Sequence, residues 1–233
     1  MIRPISFKRH RFPPAVILQA VRWYFRFTLS LCDVEELMAE CGIEVSRETI
    51  RCWVIKVGPL IAANLRRGRP SPTRRWHLDE AVVKIGVRRI YLWQAVDDEG
   101  EVLDVVVQKR RNKHAALKLL RRLLRNTGIH PEEIVTDKLA SYRTAMKVLH
   151  LQGRHRPGGM RDNNRAENSH LMIRRRERKQ QRFESQGSAQ RFLSTLGPIY
   201  NPFNLQPHLI SRPGLRILRA HAEAAWAAAT QAI

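Results

Sequence analysis

The stretch WHLDEAVVKIGVRRIYLWQAVDDEGEVLDVVVQKR, residues 76–110, decides the fold. It contains three runs rich in β-branched and aromatic residues, at 76–85, 88–97 and 101–110, and this composition is typical of strands. Asp98, Glu99 and Gly100 separate the last two runs, and such residues favour a tight hairpin turn. We therefore predict an antiparallel meander of three strands.

Helices and one further strand follow the predicted meander. Residues 112–126 have leucines on one face and lysines and arginines on the other, which predicts an amphipathic helix. The next patterns predict a buried strand at 132–137, a helix at 141–149, a loop at 152–162 and a long basic helix at 164–182. This order of elements is that of the ribonuclease H-like fold, an α/β fold with a mixed sheet flanked by helices.

The first 60 residues carry three helical patterns, and the last two have capping residues at Ser30 and Ser46. A short turn containing glycine separates them, which is the spacing of a helix-turn-helix. In that motif the second helix enters the major groove of DNA with its N-terminal side chains on the bases. The predicted DNA-reading residues are Arg47, Glu48 and Arg51. The alternative is a three-helix bundle without this function.

Shifts in composition predict the domain boundaries. Residues 61–75 are rich in Gly, Pro, Ser and Arg, so we predict a basic linker there, between a helix-turn-helix domain at 1–60 and the sheet domain at 76–195. Residues 196–233 are predicted to form a C-terminal helical extension, because their last part is rich in alanine. Its helix could dock on the sheet domain or pair with a second subunit. Near the start of the extension, Gly197-Pro198 is expected to interrupt a helix.

The charge balance predicts a polyanionic partner. The 233 residues include 42 Lys and Arg against 21 Asp and Glu, a formal net charge of +21. Each cation that neutralises a phosphate releases a counterion, so nucleic acid is the expected partner. A basic protein without nucleic-acid function would have the same charge and stays an alternative.

Two other classes of protein are not expected. The sequence has no run approaching the roughly 18 uncharged residues of a membrane span, and its opening residues lack an apolar signal core, so we expect a cytoplasmic protein. Its three cysteines have no spacing typical of a zinc site or a disulfide framework. We expect Cys32, Cys41 and Cys52 to be reduced thiols in the core.

Three carboxylates lie where this fold would place a metal site. Asp79 is in the first predicted strand, Asp137 closes the fourth, and Glu167 is near the start of the last helix of the sheet domain. Cleavage and transfer of phosphodiesters can use two Mg²⁺ ions about 4 Å apart, which carboxylate oxygens bind well, and Mn²⁺ accepts the same ligands. Glu80 is a weaker candidate, because strand alternation points it to the face opposite Asp79. Taken singly, each acid is more often a turn or surface residue than a metal ligand.

The last helix of the sheet domain is expected to hold DNA. Glu167, His170 and Arg174 are spaced at i, i+3 and i+7, which puts them within about 60° of arc on the helix. Cations on this face could hold a phosphate against the metal ions, although a solvated helix surface is the alternative. The predicted DNA-binding residues of this region are Lys138, His170, Arg175, Arg176, Arg178 and Lys179.

Several longer stretches resemble one family, the DDE transposases of the insertion-sequence-6 family of bacterial mobile elements. They are FKRHRFPPAVILQAVRWYFRFTLS, VEELMAECGIEVSRETIRCWV, RRWHLDE, YLWQAVDDEGEVLD, IVTDKLASY and DNNRAENSHLMIRRRERKQQRFESQGSAQRFLS. The resemblance covers nearly the whole chain. The interval from Asp137 to Glu167 is shorter than in better-known members, so the loop between them is expected to be compact.

The resemblance implies a function and a set of roles. Asp79, Asp137 and Glu167 would bind the metal, and Arg174 would be the cation that follows the glutamate. The N-terminal helices would bind the terminal inverted repeats of an element, in double-stranded DNA. Cleavage would leave a 3′-hydroxyl that attacks target DNA. Holding two ends together makes a homodimer or higher oligomer reasonable. A DNA-binding repressor with an inactive copy of the fold, and a nuclease without strand transfer, are the alternatives.

Overall fold

The N-terminal helices of the computed structural model begin where the sequence predicts them. They are α1 (Pro14–Arg26), α2 (Leu31–Glu40) and α3 (Arg47–Gly68). Ser30 and Asp33 form a capping box at the start of α2: the Ser30 hydroxyl accepts from the Asp33 amide at 3.1 Å, and the Asp33 carboxylate accepts from the Ser30 amide at 2.7 Å. The Ser46 hydroxyl accepts from the Thr49 amide at 3.3 Å and caps α3. The predicted helix starts are therefore confirmed.

Helix α3 is longer than the sequence pattern indicated. It continues to Gly68, so residues 69–74 alone lie between it and the first strand, and the linker predicted at 61–75 is wrong over its first part. Tertiary contacts explain the difference. Ile61 and Leu65 are buried, and the Asn64 amide donates to the Ala229 carbonyl at 2.9 Å. Burial of this face stabilises a helix that ends in arginines and glycine.

The structure describes residues 2–137, 139–158, 164–179, 183–205 and 209–231, except the side chains of Asn164 and Glu167. The chain divides into two compact units, the first made of residues 1–70 and 195–233 and the second of residues 71–194. The predicted C-terminal extension therefore belongs with the N-terminal helices.

The C-terminal part of the first unit is held by helix α8 (Arg212–Ala229). Its Glu223 forms an ion pair with Arg22 of α1, and its Trp226 is buried. Helix α7 (Gln186–Tyr200) contains Pro198, so the break expected there is wrong. Proline removes one backbone hydrogen bond, and burial of the neighbouring Leu196 and Ile199 favours the continuous helix.

The second unit contains a mixed sheet of five strands. They are β1 (Arg75–Ile85), β2 (Arg88–Asp97), β3 (Val102–Gln108), β4 (Glu133–Thr136) and β5 (His155–Pro157). The order is β3-β2-β1-β4-β5; β1, β2 and β3 pair antiparallel, whereas β4 is parallel to β1 and β5 is parallel to β4. This is the ribonuclease H-like fold, and the predicted fold class is confirmed.

Strand β5 was predicted as part of a loop. It is three residues long, contains a proline and lies at the edge of the sheet beside β4. A proline is tolerated at an edge strand because one side of that strand donates no ladder hydrogen bond. A strand this short has no alternation that a sequence pattern can detect.

Helices cover both faces of the sheet. Helices α4 (Lys113–Thr127) and α5 (Ala140–Val148) form the main core with one face, where Trp76, Leu78 and Trp93 are buried. Helix α6 (Asn164–Lys179) packs on β1 and β2. At the β3 edge, Gln190 of α7 accepts from the Val107 amide and donates to the Val105 carbonyl, both at 2.8 Å. A side-chain amide thus pairs with backbone groups of an edge strand.

The cysteines do not belong to the core. Cys32, Cys41 and Cys52 are all exposed, which corrects the expectation of buried thiols. Helices α2 and α3 bury Val34, Met38 and other apolar residues instead, so their cysteines fall on outward positions. In the part of the chain that the structure describes, every helix is too short or too polar to cross a bilayer.

Candidate functional site

The register between β1 and β4 brings two of the predicted acids together. The parallel pairing ends with Leu78 opposite Thr136, the last residue of β4. An aspartate follows each of these two residues: Asp79 comes after Leu78, and Asp137 comes after Thr136. One carboxylate oxygen from each of these two, and one from Glu80, all lie within 4.8 Å of one another. We refer to Asp79, Glu80 and Asp137 as the acid cluster.

Glu80 belongs to the acid cluster, although the sequence pattern made it only a weaker candidate for the metal site. Strand alternation does place it on the face opposite Asp79, but β4 ends opposite Leu78, two residues before Glu80. Beyond that point Asp137 lies beside β1. The side chains of Asp79 and Glu80 both come close to it, although they lie on opposite faces of the sheet. The Glu80 side chain is only 3% exposed. The register of β4 would have been the signal, and sequence alone does not supply it.

Arg111 joins the acid cluster from the segment before α4. Its Nε donates to Glu80 Oε1 at 2.6 Å, and its guanidinium lies 3.5 Å from Asp137 Oδ2. Burial raises the pKa of Glu80 to about 7, against the hydrogen bond from Arg111, and the charges of Asp137 and Asp79 add to the rise. Concentrated negative charge in a partly buried place favours a bound cation.

Helix α6 reaches the acid cluster through His170. Its Nε2 lies 3.1 Å from Asp79 Oδ2, and the residue is 3% exposed. This burial corrects the prediction that His170 contacts DNA. The inward face of α6 repeats at helical spacing through Ala166, His170 and Ile173, so the histidine faces the sheet. Its imidazole contacts the carboxylate of Asp79.

Arg176 lies on the same inward face of α6, one turn after Ile173. It is 1% exposed, and its guanidinium lies 5.9 Å from the centre of the Phe192 ring. Its position therefore argues against the predicted contact with DNA. The other predicted cations of this helix are exposed: Arg174, Arg175, Arg178 and Lys179.

Two predicted residues lie partly or wholly outside the described part of the structure. Glu167 lies on α6, three residues before His170, but its side chain is outside the described part of the structure. Lys138 follows Asp137 directly and also lies outside the described residues. The backbone therefore puts Glu167 on the helix that contacts Asp79.

The predicted DNA-reading residues lie together in the first unit, on the first two turns of α3. Arg47, Glu48 and Arg51 are all exposed. Glu48 accepts from Arg51 Nε at 2.8 Å, and this hydrogen bond lowers the pKa of Glu48. The Arg47 amide donates to Glu35 of α2 at 2.8 Å, which fixes the turn between the two helices.

Two relatives are transposases of Staphylococcus aureus. The chain is 33% identical over 144 residues to the transposase for the insertion sequence-like element IS431mec, and 32% identical over 144 residues to that for the insertion sequence element IS257 in transposon Tn4003. Each alignment covers 61% of this chain and only 64% of the relative.

Solved structures show weaker similarity. The simian T-cell lymphotropic virus intasome in complex with the PP2A regulatory subunit B56 gamma is 14% identical, with a TM-score of 0.44 over 59% of this chain and 51% of that chain. The HTLV-2 integrase catalytic core domain in complex with magnesium, in its trimeric form, is also 14% identical, with a TM-score of 0.40 over 61% and 92%.

A family model described as a DDE domain matches residues 73–203, which include the whole sheet, Asp79, Asp137 and α6. Since this match spans more than half of the chain, the chain belongs to the DDE transposase family of insertion-sequence-6 elements.

Proposed function

We propose that the protein is a transposase that binds the terminal inverted repeats of an insertion sequence and catalyses metal-dependent DNA strand cleavage and strand transfer. The observation that carries the proposal is the β1–β4 register, which sets Asp79 beside Asp137 under a helix that bears Glu167. Membership of the DDE family and the names of the staphylococcal relatives support it.

The acid cluster fits a hard divalent cation. Carboxylate oxygens are the ligands that Mg²⁺ and Mn²⁺ prefer, and oxygens of Asp79, Glu80 and Asp137 lie within 4.8 Å of one another. Asp79, Asp137 and Glu167 are the residues proposed to hold two Mg²⁺ ions. Bound there, the ions would neutralise charge on the attacking and leaving oxygens of the phosphodiester.

The other residues of the site act by orientation and charge. His170 holds the Asp79 carboxylate from the α6 side, and Arg111 holds Glu80 and Asp137 from the α4 side. Arg174 is exposed on α6, seven residues after Glu167, and is proposed to hold the reacting DNA strand by a phosphate. Arg175, Arg178 and Lys179 would extend that contact along the backbone.

Recognition of the element ends is assigned to the first unit. The exposed N-terminal end of α3 presents Arg47, Glu48 and Arg51, in the place where a helix-turn-helix reads the major groove. The ion pair between Glu48 and Arg51 would open on binding and free the guanidinium for a base or a phosphate. Two ends must be held together for transfer, so a homodimer or higher oligomer is proposed as the active form.

The deciding experiment uses a labelled duplex that carries the inverted repeats flanking the reading frame. Wild type and Glu167→Gln are compared in Mg²⁺ and in EDTA. We expect 3′ ends and joined products that require Mg²⁺ and wild-type Glu167. Tight binding to the ends without nicking in Mg²⁺ or Mn²⁺ would contradict the enzymatic proposal and indicate a repressor of the element.

A further inference from the structure

Helix α4 carries a straight line of one histidine and three cations on its outer face. His114, Lys118, Arg121 and Arg125 follow one another at i, i+4, i+7 and i+11. At about 100° per residue these positions fall within an arc of about 60°, and at about 1.5 Å per residue they extend over about 16 Å. All four are exposed. We name them the α4 stripe.

The charge of the α4 stripe is not compensated within the described part of the chain. Helix α4 has no acidic residue in its sequence, KHAALKLLRRLLRNT, and none of the acids in the described ranges forms an ion pair with Lys118, Arg121 or Arg125. The neighbouring Arg122 differs, because it pairs with Asp104 at 2.8 Å. Like charges one turn apart repel, so the bare helix would be disfavoured by its own surface.

The inner face of α4 holds the stripe in place against that repulsion. Leu119, Leu120 and Leu123 are fully buried in the main core. The stripe is therefore a fixed array. A groove of about 450 Å³ runs along it, lined by His114, Leu117, Lys118, Arg121, Arg122 and Arg125. A pre-organised row of cations beside a groove suits a linear polyanion, because ordering it requires no folding step on binding.

The α4 stripe begins beside the acid cluster. Arg111, which contacts Glu80 and Asp137, is followed by Asn112, whose side chain caps α4 through the Ala115 amide at 3.2 Å. His114, the first residue of the stripe, follows Asn112 by two positions. A strand lying on the stripe would therefore lead toward the acid cluster, on the side of the sheet opposite α6.

We propose that the α4 stripe holds the phosphate backbone of a DNA duplex that enters the acid cluster, without reading its bases. This inference rests on the proposed function, since it assigns a path for the DNA on which the acid cluster acts. Lysine and arginine side chains bind phosphates at any sequence, and a straight row of them along one helix face suits the regular backbone of a duplex. A second copy of this helix would bring like charges together, which disfavours a self-association surface.

The test removes three exposed cations from the full-length chain by the changes Lys118→Ala, Arg121→Ala and Arg125→Ala together. The matched control is Lys84→Ala, Arg88→Ala and Arg89→Ala, which removes one lysine and two arginines from exposed positions of β1 and β2 in the same unit. Both variants lose the same net charge. Circular dichroism and the midpoint of thermal unfolding establish that each variant is folded.

The readout is the dissociation constant for a random-sequence duplex, measured over a range of salt concentrations. Each lost phosphate contact lowers the slope of log K against log salt by about 0.9, so the stripe variant is expected to lose about 2 to 3 from the slope. We expect at least about a tenfold loss of affinity at low salt, and a control close to wild type. Equal losses in both variants, or no loss in the stripe variant, would overturn the proposal.

Two further comparisons separate the possible failures. The stripe variant is expected to lose affinity equally for a random duplex and for the element ends; a loss confined to the ends would contradict backbone binding without sequence reading.

Cleavage by the wild type is measured in parallel. If the wild type binds through the stripe and never cleaves, the proposed function fails and the stripe stands. If it cleaves and the stripe variant behaves like the control, the stripe fails and the function stands.

Discussion

Helices α4 and α6 are both strongly basic, yet they are fixed to the sheet in different ways. The buried residues of α4 are all apolar: Ala115, Ala116, Leu119, Leu120 and Leu123. The buried residues of α6 include two that can carry charge, His170 and Arg176, beside Ala166 and Ile173. Helix α4 is held mainly by hydrophobic burial, with the ion pair of Arg122 and Asp104 beside it, whereas α6 also buries polar side chains against the acid cluster and the sheet.

This difference assigns distinct roles to the two helices. Hydrophobic burial does not depend on the charge of the site, so α4 is expected to keep its position whatever the acid cluster binds. The contact between His170 and Asp79 does depend on that charge. Helix α6, which carries Glu167, is therefore the element whose position the acid cluster can influence.

The largest expected effect comes from breaking the apolar contact of α4. Leu119→Ala should lower the free energy of unfolding by about 2–5 kcal/mol, because it opens a cavity in the main core. Leu171→Ala on α6 is the control, since Leu171 is 46% exposed, and its change should stay within about 0.5 kcal/mol. Urea unfolding of both variants measures the difference. Equal losses would mean that α4 is not anchored by its buried face.

The next effect separates the two neighbouring arginines of α4. Arg122→Ala should cost about 1–3 kcal/mol, because it leaves the Asp104 carboxylate, 3% exposed, without its ion pair. Arg121→Ala, in the α4 stripe, should change stability by less than about 0.5 kcal/mol. Thermal unfolding of the two variants tests this. A loss for Arg121→Ala as large as that for Arg122→Ala would show that the stripe is structural.

The polar contact of α6 is tested by His170→Ala. Residues that orient a metal ligand typically change metal affinity by about 10–100-fold when removed, so Mn²⁺ should bind more weakly by about that factor. Titration of the full-length protein with Mn²⁺, followed by electron paramagnetic resonance, gives the affinity. Arg178→Ala, at an exposed position of the same helix, is the control. Unchanged Mn²⁺ affinity in His170→Ala would remove the orienting role.

The smallest effect is a pH dependence that arises on the α4 side of the cluster. Burial raises the pKa of Glu80 to about 7 from 4.5. A raised carboxyl pKa means that the folded state binds the proton more tightly than the unfolded chain. The metal-free protein should therefore lose stability as pH rises from about 4.5 to about 7, by about 1–2 kcal/mol.

Urea midpoints in EDTA at pH 5 and pH 8 measure this loss for wild type and for Glu80→Gln. The variant should lack that part of the pH dependence, because glutamine does not titrate. Mg²⁺ should reduce the loss in the wild type, since a cation stabilises the ionised carboxylate. Identical pH profiles of wild type and variant in EDTA would contradict the origin assigned to Glu80.

The sequence predicted the local structure well where the signals are local. The capping residue Ser46, the hairpin at Gly100 and the amphipathic pattern of α4 each involve neighbours in the chain, and the structure confirms all three. It failed where burial by distant residues overrides composition. The arginines and glycine at the end of α3 indicated a linker, but Asn64 binds the Ala229 carbonyl and the segment is helical.

For the candidate site, the sequence by itself determined which chemical groups are available: acids at Asp79, Asp137 and Glu167, and an excess of cations for a polyanion. The tertiary structure alone decided their grouping. Whether Glu80 joins the acid cluster depends on where β4 ends against β1, and whether His170 faces DNA or Asp79 depends on the rotation of α6. Both are set by packing between segments far apart in the chain, and the pattern of one segment alone does not specify where it meets the other.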